Sequence, residues 1–110
     1  MPVVRLTGRA EWRSQDEAPQ RSDSLDARLR DGRSLGLDIS YSVSRFTGTL
    51  DSHDGRRFGG LLHDVKGSAG NAEVSGDLAS VEDGWRLVGR WTERSTDYEL
   101  VIDLDPVDEP

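Results

Sequence analysis

Apolar residues recur at every second position along most of this chain. The clearest run is Leu35, Leu37, Ile39, Tyr41 and Val43, with Gly36, Asp38, Ser40 and Ser42 between them. Successive strand side chains point to opposite faces, so this alternation describes an antiparallel strand with one buried and one solvated face. The pattern repeats elsewhere. Val4, Leu6, Gly8, Ala10 and Trp12 oppose Arg5, Thr7, Arg9 and Glu11; Leu25, Ala27 and Leu29 oppose Asp26, Arg28 and Arg30. Trp85, Leu87, Gly89 and Trp91 oppose Arg86, Val88, Arg90 and Thr92; Tyr98, Leu100, Ile102 and Leu104 oppose Asp97, Glu99, Val101 and Asp103. No segment carries a helical stripe. The pattern predicts about eight strands, near 3–12, 25–30, 34–44, 46–50, 58–65, 72–80, 85–94 and 97–104.

Turn chemistry separates the runs. Asp31-Gly32, Asp54-Gly55 and Asp83-Gly84 are hairpin signals, because both residue types tolerate positive φ. Parity then predicts register. A two-residue turn at Asp83-Gly84 pairs Leu78 with Gly89 and Gly76 with Trp91. One at Ser95-Thr96 pairs Trp91 with Leu100, Leu87 with Leu104 and Arg94 with Asp97. A three-residue loop, Asp31 to Arg33, sets Leu29 opposite Leu35. The inward set is odd up to Val43 and even from Phe46 to Leu50, which predicts a β-bulge near Ser44-Arg45. Glycines at inward positions relieve crowding where strands coil and let a facing aromatic lie flat, as Trp91 would over Gly76.

The expected fold is all-β: an antiparallel meander closed into a small β-barrel, which removes exposed edges, with a β-sandwich as the alternative. Residues 1–104 form one domain, and the prolines and carboxylates of 105–110 read as an acidic tail. Ser14 to Ser24 reads as a long polar loop.

Composition modifies this picture in three places. Apolar residues are 34%, charged residues 32%, and the net charge is -7, a balance that leans toward disorder but for the regular alternation. That negative charge disfavours a nucleic-acid partner. The absence of cysteine removes disulfides, thiolate metal sites and cysteine nucleophiles and fits a reducing compartment. No stretch approaches the roughly 20 apolar residues of a membrane-spanning helix, and Met1 to Arg9 lacks an apolar leader core, so the expected location is cytoplasmic, away from membranes.

Phe46-Thr47-Gly48-Thr49 resembles a strand phrase of avidin-family barrels, in which a Thr-Gly-Thr step precedes an inward aromatic. Gly89-Arg90-Trp91 resembles the Gly-x-Trp of lipocalin-like and avidin-like barrels, and Leu87 to Leu104 resembles the final hairpin of small lipocalin-like bacterial domains. The resemblance covers about a quarter of the chain and implies a barrel. It carries over no binding residue. The Gly-x-Trp step lies on the seventh strand instead of the first, and Leu50 stands where avidins carry an aromatic.

Candidate chemistry is sparse. Tyr41, Trp91 and Tyr98 fall on inward faces with Trp12 and Trp85, where they either fill the core or line a cavity for a small apolar molecule. His63 depends on register. A two-residue turn at Asp54-Gly55 sets it opposite Phe46 and turns it inward, whereas one more loop residue puts Phe58 and Leu62 inside and His63 outside. His53 belongs to an ordinary polar hairpin tip, and Glu93 continues the Trp91 face to a strand end. Arg5, Arg9 and Arg13 share one outer strand face and Arg86, Arg90 and Arg94 another. They form cross-strand ion pairs or an arginine-rich face for an acidic protein. No Ser-His-Asp arrangement, phosphate loop or zinc spacing is present, so no cofactor or metal is expected.

Three functions follow, in order of preference. The first is a non-enzymatic protein-interaction module of the immunity, inhibitor or accessory kind, binding through Arg5, Arg9, Arg86 and Arg90. The second is a barrel for a small apolar ligand, lined by Tyr41, His63, Trp91 and Tyr98. The third is a cyclase- or isomerase-type enzyme using His63, Tyr41 or Glu93 as acid or base. A homo-oligomer is compatible with each.

Overall fold

The computed structural model describes residues 3–15, 18–66 and 70–107. It comprises eight antiparallel strands: β1 Val3–Arg13, β2 Gln20–Arg30, β3 Ser34–Tyr41, β4 Ser44–Asp51, β5 Arg57–Asp64, β6 Asn71–Val81, β7 Gly84–Glu93 and β8 Thr96–Pro106. Each strand pairs with its neighbours in the chain, and β8 returns to β1 from Leu6↔Pro106 to Arg13↔Glu99, closing the barrel. Closure, and not a sandwich, therefore satisfies the backbone donors and acceptors of the first and last strands. β8 runs to Pro106, and the Val107 N–H donates to the Arg5 carbonyl at 3.0 Å, so the barrel extends past Leu104. The rest of the expected tail, 108–110, lies outside the described residues.

The inward alternation builds one core. Leu6, Leu25, Leu37, Ile39, Leu87 and Ile102 are buried in it with the larger Trp12, Phe46, Phe58 and Trp91, while Val4, Tyr41, Trp85 and Tyr98 pack against it partly exposed.

Three local expectations give way. β2 begins at Gln20, so much of the expected loop from Ser14 is strand. The register of β1 with β2 shifts between Gly8 and Ala10, which turns Ser22 inward on the parity opposite to Leu25. A serine at that position hides the pattern. Its hydroxyl donates to the Ser40 carbonyl at 2.5 Å, satisfying a polar group that is only 4% exposed. Second, no bulge follows Val43. Tyr41 pairs with Ser44 across a tight turn, with Ser42 at φ 54 and Val43 exposed at the tip. A turn resets parity as well as a bulge does.

Third, two hairpins turn one residue earlier than the Asp-Gly and Ser-Thr signals indicate. Val81 pairs with Gly84, and Glu93 pairs with Thr96 across Arg94 and Ser95, whose φ values are 50 and 66. Positive φ at both positions fits the tight hairpin twist. Moving such a turn by one place shifts pairing by two, so faces are kept and partners change. Leu78 faces Leu87, Gly76 faces Gly89, Val74 faces Trp91, Trp91 faces Tyr98 and Leu87 faces Ile102. Asp97 stands opposite Thr92, whose hydroxyl donates to it at 2.6 Å. Trp91 therefore does not lie over Gly76. A Cβ on Gly89 would meet the Ser75 carbonyl oxygen at 1.9 Å, so glycine serves close backbone approach there. The Asp31 loop agrees with expectation: Leu29 pairs with Leu35, with Asp31 at φ 53 and Gly32 at φ 68.

Candidate functional site

The meander gathers the β1–β2, β3–β4, β5–β6 and β7–β8 connections at one end of the barrel. Near that end aromatic side chains from five strands point inward. Trp12 and Trp91 stack with centroids 4.9 Å apart and planes at 9°. Tyr41 meets Trp12 edge-on at 5.0 Å, and Phe46 meets Trp91 edge-on at 5.0 Å. Tyr98 lies opposite Trp91 on the neighbouring strand. The barrel thus brings Tyr41, Trp91 and Tyr98 together, but Trp91 is fully buried under its neighbours. Its indole N–H donates to Glu93 Oε1 at 3.0 Å, so the Glu93 carboxylate is engaged at the mouth. Trp12 Nε1 and Ser14 Oγ are buried without a hydrogen-bond partner.

His63 stands apart from this cluster. It pairs with Thr47 and Asn71 on the outer surface, and its Nδ1–H donates to Asn71 Oδ1. The cause is the loop between β4 and β5, which spans Ser52 to Arg56. Asp54 Oδ1 accepts from the Arg57 N–H at 3.0 Å, the Arg56 N–H at 2.8 Å and the Ser52 hydroxyl at 3.0 Å. Ser52 Oγ in turn accepts from the Gly55 N–H at 2.9 Å, with Gly55 at φ 79. The backbone donors of Arg57 and Arg56, then the Ser52 hydroxyl, lower the Asp54 carboxyl to about 2. This capped loop sets Gly48 opposite Leu62, so Phe58 and Leu62 point inward and His63 outward. His53 lies exposed in the loop. No cluster of His, Asp or Glu suited to a metal ion occurs among the described residues.

The four candidate arginines do not form one patch. Arg9 of β1 and Arg86 of β7 converge on Asp103 of β8, at 3.8 and 2.6 Å. Arg90 stands opposite Glu99. Arg5 lies nearer the start of β1 on the same outer face, opposite Arg28 of β2. The Asp103 pairs are solvent-exposed, where each such contact contributes little stability.

A concavity of about 740 Å³ crosses the outer faces of β1 to β4. Two rows of directly paired residues floor it: Arg5, Arg28, Gly36 and Thr49, then Thr7, Asp26, Asp38 and Thr47. Arg30 and Ser34 close one end. At the other, Arg45 Nε donates to Asp38 Oδ1 at 2.9 Å, and this bond holds the Asp38 carboxyl below its usual range. Sequence reasoning did not find this surface. The residues of these two rows are outward on their strands as expected, but the β1–β2 register passes through a long connection and an irregularity, so nothing in the sequence shows Arg5 beside Arg28. No protein-family model, curated protein or solved structure matches the chain.

Proposed function

We propose that this protein is a non-enzymatic interaction module, a filled barrel that binds another protein through its outer surface. One observation carries the reading. Trp12, Phe46, Phe58 and Trp91 occupy the interior, each at 2% exposure or less, while the concavity of about 740 Å³ lies outside. A ligand barrel needs the reverse arrangement. The outward charges of both signs, Arg9, Arg86 and Asp103 among them, suit a polar protein interface better than a lipid-facing belt.

A second reading has one observation in its favour. The orphan donors Trp12 Nε1 and Ser14 Oγ, beside half-buried Tyr41, would suit a small acceptor-bearing ligand at the mouth.

Native mass spectrometry on protein purified gently from its own cells separates the two. The expected spectrum contains a protein partner at fixed stoichiometry and, after dissociation, a barrel of bare chain mass. A small organic mass released by gentle activation would replace the interaction reading with the ligand reading.

A further inference from the structure

We propose that Asp31, in the loop between β2 and β3, is a modification site that converts spontaneously to isoaspartate through a cyclic imide formed with the Gly32 nitrogen. The chemistry depends on the following residue. A backbone nitrogen attacks the preceding aspartyl Cγ most readily when its own residue has no Cβ to hinder the approach. Three steps in the chain meet that condition: Asp31-Gly32, Asp54-Gly55 and Asp83-Gly84. The residue pair itself does not rank them; the fold does.

Two of the three are held. Asp54 Oδ1 accepts from the Arg56 and Arg57 amides and the Ser52 hydroxyl, and the Gly55 N–H donates to Ser52 Oγ. Both reacting groups would have to leave these bonds. The same donors keep the carboxyl ionised, whereas the protonated form is the one that loses water. Each charge-assisted bond that must break slows the step about tenfold or more. Gly84 is the first residue of β7 and pairs with Val81, and a Cβ there would collide with the Leu104 carbonyl oxygen, so its nitrogen is fixed in the barrel wall. Asp31 and Gly32 are exposed, and a Cβ on Gly32 would meet nothing within 4 Å. The loop's own bond runs from the Arg33 N–H to the Arg30 carbonyl at 3.0 Å. No hydrogen bond or ion pair among the described residues engages the Asp31 carboxylate or the Gly32 nitrogen.

The step needs no co-reactant but water. The Gly32 nitrogen gives up its proton and bonds to Asp31 Cγ, and the carboxyl hydroxyl departs with a proton as water. Water then reopens the ring at either carbonyl. Attack at Cγ restores aspartate. Attack at the original peptide carbonyl breaks its bond to the Gly32 nitrogen and frees an α-carboxylate. The chain then runs through Cβ and Cγ, one main-chain carbon longer. That carbon is felt beyond the loop itself. The Ser52 N–H donates to the Arg33 carbonyl at 2.8 Å, and the Gly32 carbonyl oxygen lies 3.1 Å from where a Cβ on Gly55 would stand, so the isomer disturbs the β4–β5 loop as well.

The test incubates the full chain at neutral pH, folded and unfolded in guanidinium chloride, and quantifies isoaspartate at the three aspartates by electron-transfer fragmentation of proteolytic peptides. In the folded chain Asp31 is expected to isomerise about tenfold or more faster than Asp54 or Asp83, and in the unfolded chain the three rates should converge. The isomer's ¹⁵N spectrum should show shifted amides at Arg33, Ser52 and Gly55. Gly32→Asn, which tolerates the φ of 68 at that position but adds a Cβ, should suppress the reaction at Asp31. Ser52→Ala removes a donor from Asp54 and frees the Gly55 nitrogen, so it should raise the rate at Asp54 about tenfold and leave that at Asp31 unchanged. Retained NMR dispersion shows that each variant still folds. Faster isomerisation at Asp54 or Asp83 than at Asp31 in the folded chain overturns the proposal. So does the same spread of rates in the unfolded chain, or no isoaspartate at Asp31 over a period in which the unfolded chain forms it.

Discussion

Three donors converge on one carboxylate oxygen at Asp54, from the Ser52 hydroxyl and the Arg56 and Arg57 amides. The bonded form is the ionised one, so the carboxyl titrates at about 2 in the folded chain, below its value of roughly 3.9 when unfolded. The stability this adds is fully present above the unfolded value and is lost as pH falls through the folded one. An NMR titration of the Asp54 side chain should show a midpoint near 2. Urea midpoints of the wild type and Asp54→Asn should differ at neutral pH and converge as pH falls from about 4 toward 2. A second residue-scale contrast lies in the stacked tryptophans. Trp91 donates to Glu93, whereas Trp12 Nε1 has no partner. Trp91→Phe should therefore cost about 1 kcal/mol more than Trp12→Phe in urea unfolding. Equal costs would point to a bound acceptor at Trp12, the second reading of function.

Strands in this barrel approach closely where glycines face one another, as Gly76 and Gly89 do between β6 and β7. The 1.9 Å separation awaiting a Cβ at Gly89 involves the backbone of Ser75, which cannot move without disturbing its ladder. Gly89→Ala should cost about 3 kcal/mol or more and lower the melting temperature accordingly. Gly36→Ala has open space on the outer face of β3 and should change stability by about 0.5 kcal/mol or less. Thermal unfolding of both variants separates a glycine required by strand packing from one that only shapes a surface. Loss of stability at Gly36 comparable to that at Gly89 would show that close packing also requires the outer-face glycine.

At the scale of the whole molecule, one ladder decides the topology. The contacts between β1 and β8 join the two ends of the described chain, whereas every other strand pair is a local hairpin or meander neighbour. Closure leaves neither strand as an edge. Amide exchange should show Leu6 to Trp12 and Leu100 to Leu104 protected to the same degree as the β6–β7 ladder. Fast exchange along one side of β1 or β8 would indicate an open sheet. The closed wall also separates two chemical spaces. Inside, packed aromatics exclude solvent. Outside, arginines and carboxylates alternate with short side chains such as Gly36, Thr47 and Thr49 along the concavity.

The sequence by itself determined the strands and their buried faces. Side-chain parity is a local property, so Leu35, Leu37 and Ile39, or Leu100, Ile102 and Leu104, declare their inward set with no knowledge of their partners. The Asp31-Gly32 loop was legible for the same reason, because parity on both sides admits only the odd-length connection. Exact pairing was less legible. A two-residue slide of β7 preserves every face, so Val74 and Gly76 were equally acceptable opposite Trp91 until packing chose. His63 was undecided because its face depends on the hydrogen bonds of Asp54, a choice between loop lengths that alternation does not make. The juxtaposition of Arg5 with Arg28 was illegible, since it arises where strands distant in register meet across an irregular ladder. Local alternation could assign each of those arginines to the outside; only the tertiary structure, through the irregular pairing of β1 with β2, placed them side by side.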